Sequence, residues 1–211
     1  HAHCDLLNIE ASLGSERLIV DGGVYDYGDT ETRRYCRGTS AHNTLEVDGV
    51  DQFDVWSRFR VGYRGHVIRQ DSGQSAGWSW ARATHNAYRR LGVPDVHRWV
   101  GCAQDEEDST VGVDTASASI ERLWVCVDSA VGTAEHDYAN RLRIHPGFAV
   151  QRVGEFQFEL RSQMQRVWVT WFVDGGTVEL EDGWYCPEFG RREAIQVMTW
   201  RGRSRVGRSA W

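Results

Sequence analysis

Short runs in which apolar and polar residues alternate recur along this chain, and no other feature restricts its fold as much. A period of two places successive side chains on opposite faces of an extended backbone, as a half-buried strand requires. Such runs fall at 6–12, 17–21, 44–49, 78–85, 97–103, 122–128, 141–146, 156–161, 167–173 and 177–180, bounded by Gly, Asp and Ser. Helical periodicity is scarce, and none of the 3 prolines interrupts a clear strand. Leu13-Gly14-Ser15-Glu16 joins the first two runs as a hairpin, and Asp48-Gly49 is a strong turn dipeptide. Many short strands with regular turns predict an all-β chain, a large antiparallel β-sandwich. There is no internal repeat, low-complexity tract or linker, so residues 1–211 read as one domain.

Composition excludes some classes of function. No apolar run approaches the ~18 residues of a membrane helix. The formal net charge of −6 leaves no electrostatic footprint for nucleic acid. All 24 basic residues are arginine, whose planar forks suit carboxylate and sulfate better than lysine does. The 5 cysteines (Cys4, Cys36, Cys102, Cys126 and Cys186) form no C-x-x-C pair and are too scattered for a disulfide framework. Cys126, within LWVCVDS, reads as a small buried apolar residue. The chain starts without Met or signal peptide on a residue that looks functional, so it reads as a fragment whose upstream part is missing.

The first residues, HAHCDLLNIEASLG, carry a conflict. From Leu7 to Leu13 the odd positions are apolar, and the same parity carried backward puts Asp5, His3 and His1 on the core-facing side. Two further unusual residues follow: Asp21 in LIVDGG and His42 in TSAHNT. Imidazole and carboxylate together suit a zinc-like divalent ion, and two His with one Asp leave a fourth position open. A hairpin turning at Gly14-Ser15 sets Asp21 opposite Asn8, about five residues or ~16 Å from His3 at strand rise. The first strand must therefore bend or twist before Leu6 if these groups are to meet. Otherwise the histidines are ordinary polar groups near a strand end. Tyr25 and Tyr27, with Arg34, Tyr35 and Arg37, form an aromatic and basic segment that is either a sugar-contacting loop or a surface loop with solvated arginines. Asn43 suits a role tying loop backbone. His85, His97 and His145 read as structural histidines, the 10 tryptophans chiefly as core packing, and Asp105–Asp108 as a solvated turn.

Taken together, HAHCDLLNIEASLGSERLIVDGGVYDYG and RRYCRGTSAHNTLEVDGVDQ resemble the C-terminal domain of the heparinase II/III family of polysaccharide lyases. The family pattern is H-x-H-x-D, then L-L-V-D-x-G-x-Y-x-Y, then R-x-Y-x-R-x-T-x-x-H-N-T-x-x-V-D-G-x-x-Q. Weaker echoes continue in ATHNAYRRL, VHRW, RLRIHPG and WYCPEFGRR.

The resemblance implies a β-sandwich paired with an N-terminal α/α-toroid that is absent from this chain. A uronic-acid polysaccharide would lie between the two and be cleaved by β-elimination. It implies a divalent metal, most often zinc, on His3, Asp21 and His42, with His1 reaching the cleft as a catalytic histidine. Asp5 shares their parity and could orient an imidazole, whereas Cys4 points away and is no ligand. Tyr25, Tyr27, Arg34, Tyr35 and Arg37 would face an acidic polysaccharide. A bacterial, periplasmic or secreted location follows from the family, and the fragment alone would have little activity. The alternative is a non-catalytic, metal-stabilised carbohydrate-binding or scaffold domain. A glycoside hydrolase would need a working carboxylate pair, and none stands out.

Overall fold

The computed structural model describes residues 2–57, 59–103 and 122–211. His1 and the acidic run at 105–108 lie outside the described residues. Antiparallel strands dominate, as the alternation predicts. The chain runs β1 (Ala11–Leu13), β2 (Glu16–Ile19), α1 (Glu31–Arg37), β3 (Leu45–Val47), β4 (Val67–Ser75), β5 (Trp78–His85), β6 (Val96–Ala103), β7 (Trp124–Arg143), β8 (Ala149–Arg152), β9 (Gln157–Arg161), β10 (Arg166–Thr170), β11 (Phe172–Val173), β12 (Thr177–Tyr185) and β13 (Glu193–Ala210).

The main sheet has 8 strands in the order β11-β13-β7-β6-β5-β4, with β12 also on β13 and β3 also on β7. A 3-stranded sheet, β10-β9-β8, and the β1–β2 hairpin make up the rest among the described residues. The apolar core is shared between them. Phe158 and Leu160 of β9 and Val169 of β10 join Leu18 and Ile19 of the hairpin. Against these lie Leu45, Tyr138, Leu142, Val178, Met198 and Trp200 of the main sheet. This is a β-sandwich, with each layer burying one face of its strands.

Several elements depart from the alternation read in sequence. The runs at 122–128 and 141–146 are the two ends of a single strand, β7, of 20 residues. The whole of β13, 18 residues long, goes unpredicted. Its first half buries Ile195, Val197, Met198 and Trp200, whereas in its second half Arg201, Arg203 and Arg205 are exposed and Gly202, Ser204 and Val206 take the inward-leaning positions between them. Gly207 is buried, and only glycine fits there, because a Cβ would stand 2.6 Å from the Tyr138 ring. Strands whose inward residues are small carry no apolar signal. β4, largely exposed and polar, is missed for a related reason. Of the tryptophans, Trp171 and Trp200 are core, whereas Trp56, Trp168 and Trp184 are exposed.

The segment read as an aromatic and basic loop contains a helix, α1. Thr30 caps it, its hydroxyl accepting the Arg33 N–H at 3.0 Å, and Glu31 sits in the first turn. Its buried residues are Arg33, Cys36 and Arg37. All 5 cysteines are free, although the Cys36 and Cys186 sulfurs lie 3.8 Å apart.

Candidate functional site

The opening segment is not a strand, so the parity carried back from Leu13 to His3 fails. Leu7 has φ of 61°, in the left-handed region where a non-glycine residue is uncommon, and it breaks the extended run. A register shift between Ala11 and Ser12 bends the chain again. Before Leu7 the backbone is tied to other elements. The Cys4 N–H donates to the Arg37 carbonyl at 2.9 Å, and the Leu6 N–H to Gln52 Oε1 at 2.7 Å. The Leu6 carbonyl accepts from Thr44 Oγ1 at 2.7 Å. These bonds lay His3 against α1.

Asp21 arrives from the other side. After β2, the Gly22 N–H donates to the Ala41 carbonyl at 3.0 Å, and a Cβ on Gly22 would stand 2.5 Å from that same oxygen. Glycine is therefore what allows the Asp21 chain to pass beside His42. Asn43 clamps the junction, and its sequence reading as a backbone tie holds. Its Nδ2 donates to the carbonyls of Ile9 and Val20, both at 2.9 Å, and its Oδ1 accepts the Arg143 N–H at 2.8 Å.

His3, Asp21 and His42 thus meet, at the bend the sequence required but slightly later in the chain. His42 is fully buried, and its Nδ1 is 2.5 Å from Asp21 Oδ1. Asp21 Oδ2 accepts the Gly23 N–H at 3.0 Å. Burial raises the Asp21 carboxyl, but the His42 hydrogen bond and charge outweigh it, and the net shift is downward. The His3 and His42 rings are 5.5 Å apart. Burial, aided by His42 and Arg33, pushes His3 down to about 4, so it is neutral at pH 7. Its Nε2 then accepts from Arg33 Nη1 at 3.0 Å.

As donors these residues fit a divalent cation. His3 is available as a neutral base and Asp21 is held toward its ionised form, which are the protonation states a metal requires. His42 Nε2 is buried with no hydrogen-bond partner, while its Nδ1 is held by a carboxylate, the usual arrangement of a ligating histidine. Among the described residues, however, no three such side chains stand in a ready-made coordination group. As they stand, Arg33 holds His3 Nε2 and Asp21 holds His42 Nδ1.

The other predicted residues divide. Asp5 is exposed, and among the described residues its carboxylate bonds no imidazole, so the expected orienting role fails with the parity that suggested it. Cys4 is buried, with its thiol on the Phe53 carbonyl and pushed up to about 12 by burial, and it takes no part in the cluster. Tyr27 is 45% exposed and packs against Phe189, with ring centroids 5.4 Å apart. Arg34 is exposed and paired with Asp29 at 2.9 Å. Tyr25 is half-buried, its carbonyl accepting the Gly190 N–H at 2.7 Å. Tyr35 is half-buried, its hydroxyl bonded to Arg143 and to the Trp184 N–H. Arg37 is buried, donating to the carbonyls of Ala2 and Ser57. Arg33 was overlooked in sequence; the hint was its place four residues before Arg37 on one helical face.

His85, His97 and His145 hold local structure as read: His97 bonds Thr84 at 2.8 Å, and His85 and His145 accept nearby backbone N–H groups. Two grooves, of about 530 and 770 Å³, lie between the Leu7–Ser12 stretch and the β4–β6 sheet, and none of the cluster residues lines them.

The antiparallel sandwich defines the fold class, and comparison with known proteins supplies the family. The heparinase II/III-like C-terminal family model matches residues 1–209, and the chain belongs to that family. Among solved structures, the heparinase III-BT4657 gene product superposes with a TM-score of 0.72 at 16% identity, covering 100% of this chain and 30% of that one. A heparinase III crystal structure gives 0.72 at 15% identity, covering 99% and 29%. Heparan sulfate lyase HepC from Pedobacter heparinus gives 0.70 at 13% identity, covering 100% and 30%. At these identities the likeness concerns the fold, and this chain spans less than a third of the length of each of the three. No curated protein sequence matches. No helix among the described residues is long and apolar enough to cross a membrane.

Proposed function

We propose that this chain is the β-sandwich part of a bacterial, periplasmic or secreted polysaccharide lyase that cleaves uronic-acid polysaccharides by β-elimination. An N-terminal α/α-toroid would form the other wall of the cleft. The observation that carries the reading is the meeting of His3, Asp21 and His42, brought from three separate segments, in a member of the heparinase II/III-like family.

In this reading His3, Asp21 and His42 hold a divalent cation, most simply Zn²⁺. When bound, the cation braces the cleft wall and adds fixed positive charge beside the acidic substrate. The chain's own residues do the rest of the positioning. Asn43 fixes the backbone on which His42 and the end of β2 depend. Tyr27 offers an exposed aromatic face at the rim, while Tyr25, Tyr35 and Arg37 shape the wall behind it. His1 is the proton-handling group of this half of the cleft. A base removes the proton α to the uronate carboxylate, the electron pair forms the C4–C5 double bond, and the C4 oxygen leaves with a proton from an acid. Preorganised cationic donors stabilise the charge that builds on the carboxylate during that step.

Two measurements test this. Purified protein should carry one divalent ion per chain, lost in His42→Ala together with thermal stability, because metal binding is linked to folding. Equal trace metal in both proteins overturns the metal assignment. A longer protein carrying both cleft walls should raise unsaturated-uronate absorbance on at least one member of a uronate-polysaccharide panel, and the 211-residue chain alone should not. Full activity in the isolated chain overturns the two-wall reading, and silence of the two-walled protein on every substrate overturns the lyase.

A further inference from the structure

Arg33 and Arg37 stand four residues apart on α1 and so share one face of the helix. Each is 1% exposed. Arg33 spends Nη1 on His3, and its Nε and Nη2 have no hydrogen-bond partner. Arg37 gives two nitrogens to backbone carbonyls, and its Nη2 is left without one. Neither makes an ion pair among the described residues; the equally buried Arg143 of β7 makes none either, but it spends its terminal nitrogens on the Ser40 and Trp184 carbonyls and the Tyr35 hydroxyl, and two other buried arginines find carboxylates. Arg98 meets Asp128, and Arg141 meets Glu46. A guanidinium stays charged at any ordinary pH, and a buried charge with no counter-charge is costly. Burial duly depresses both groups, and Arg33 further depresses Arg37.

Three guanidinium nitrogens without acceptors therefore cluster beside a neutral imidazole. A cation in the adjoining His3–Asp21–His42 group would add to the positive charge. What this arrangement lacks is an oxyanion. The N–H fork of arginine matches the two oxygens of a carboxylate, or of one edge of a sulfate. Tyr27, 45% exposed and 5.2 Å from the Arg33 guanidinium, is the surface side of the pair.

We propose that Arg33 and Arg37, beside His3, form an oxyanion site that takes an acidic substituent of the sugar chain, a carboxylate or a sulfate. Its polysaccharide source rests on the function proposed above; the oxyanion chemistry does not. Arg34, which points outward to Asp29, lies outside the site.

The test compares melting temperatures in sodium sulfate and in sodium chloride at equal ionic strength, for the wild-type chain, Arg33→Gln and Arg34→Gln. Sulfate also stabilises proteins by exclusion from their surfaces, and Arg34→Gln measures that background. Wild type and Arg34→Gln should gain more from sulfate than Arg33→Gln does. Equal gains in all three overturn the site. Should Arg33→Gln fail to fold, the side-chain Nε–H signals of ¹⁵N-labelled wild type give the answer. The Arg33 signal should shift saturably with sulfate while that of Arg98, already bound to Asp128, stays fixed; an unmoved Arg33 signal overturns the proposal. Unsulfated and sulfated uronate disaccharides then identify the source. Saturable movement of Arg33 by either supports the sugar assignment, and movement by inorganic sulfate alone overturns it. None of these readouts depends on lyase activity, so a protein inactive on every polysaccharide but positive here would lose the function and keep the site.

Discussion

Arg98 and Arg33 are buried almost equally, 4% and 1% exposed, yet their surroundings are opposite. Arg98 meets Asp128 through two bonds of 2.7 Å, and its remaining N–H groups reach the carbonyls of Leu7 and Asn43. Asn140 joins the same network, donating to Asp128 at 2.5 Å and to Ser209 at 2.9 Å. Burial opposes the Arg98 charge, but Asp128 more than offsets it, and the group lies above the ordinary arginine range. Arg33 has one imidazole for a partner and two idle nitrogens, and burial lowers it. A network in which every member is satisfied holds strands together. Buried guanidinium donors without acceptors, as at Arg33 and Arg37, are costly, and the oxyanion proposed above would complete them. The difference separates the scaffold of this sandwich from the edge proposed above to work on substrate.

The largest test of that contrast is Asp128→Ala. It strands the Arg98 charge inside the main sheet and should cost about 3–5 kcal/mol, read from urea unfolding. The matching change at the working edge, Arg33→Met, removes a charge that has no counter-charge. It should leave stability within about 1 kcal/mol of wild type or raise it. A loss as large as that of Asp128→Ala would show that Arg33 is scaffold after all.

An effect that is smaller than the loss from Asp128→Ala over any single pH unit is read by titration. His85 is buried, and burial, together with the nearby Arg98 and His97, lowers it from 6.5 to about 3. Between those values the unfolded chain takes up a proton that the folded chain refuses. Stability is therefore fully present above about pH 6.5 and falls as the pH drops toward 3, by up to about 1.4 kcal/mol per unit. His85→Gln should flatten that slope in chemical-unfolding curves, and an unchanged slope would assign the acid sensitivity elsewhere. The smallest change is expected at Arg34→Ala. Arg34 and its partner Asp29 are both largely exposed, and the loss should stay under about 0.5 kcal/mol in the same unfolding assay.

Much of the fold was legible. β5 matches the predicted run at 78–85 residue for residue, because Trp78, Trp80 and their neighbours alternate openly. β13 was legible only in part: Ile195 and Val197 alternate inward in its first half, but from Gly202 on the inward positions are mostly Gly and Ser, which leave room for Tyr138 and Trp200 but carry no hydrophobic period. At the site, the residue types of His3, Asp21 and His42 pointed to one cluster, while the strand parity used to aim them was wrong at His3 and Asp5. That parity ended at Leu7, whose positive φ is held by contacts with segments far along the chain.

By itself, the sequence determined the all-β class, the hairpin at Gly14-Ser15 and the chemical kinds of residue at the working edge. These depend on local alternation, turn residues and side-chain chemistry, which neighbours in sequence already express. The tertiary structure alone decided that Arg33 and Arg37 would be buried without counter-charge, that Asp5 would face solvent, and that Arg98 would find Asp128. Each of those outcomes turns on which distant segment supplies a carboxylate or a carbonyl within about 3 Å, and hydrogen bonding falls off too steeply with distance for sequence spacing to reveal it.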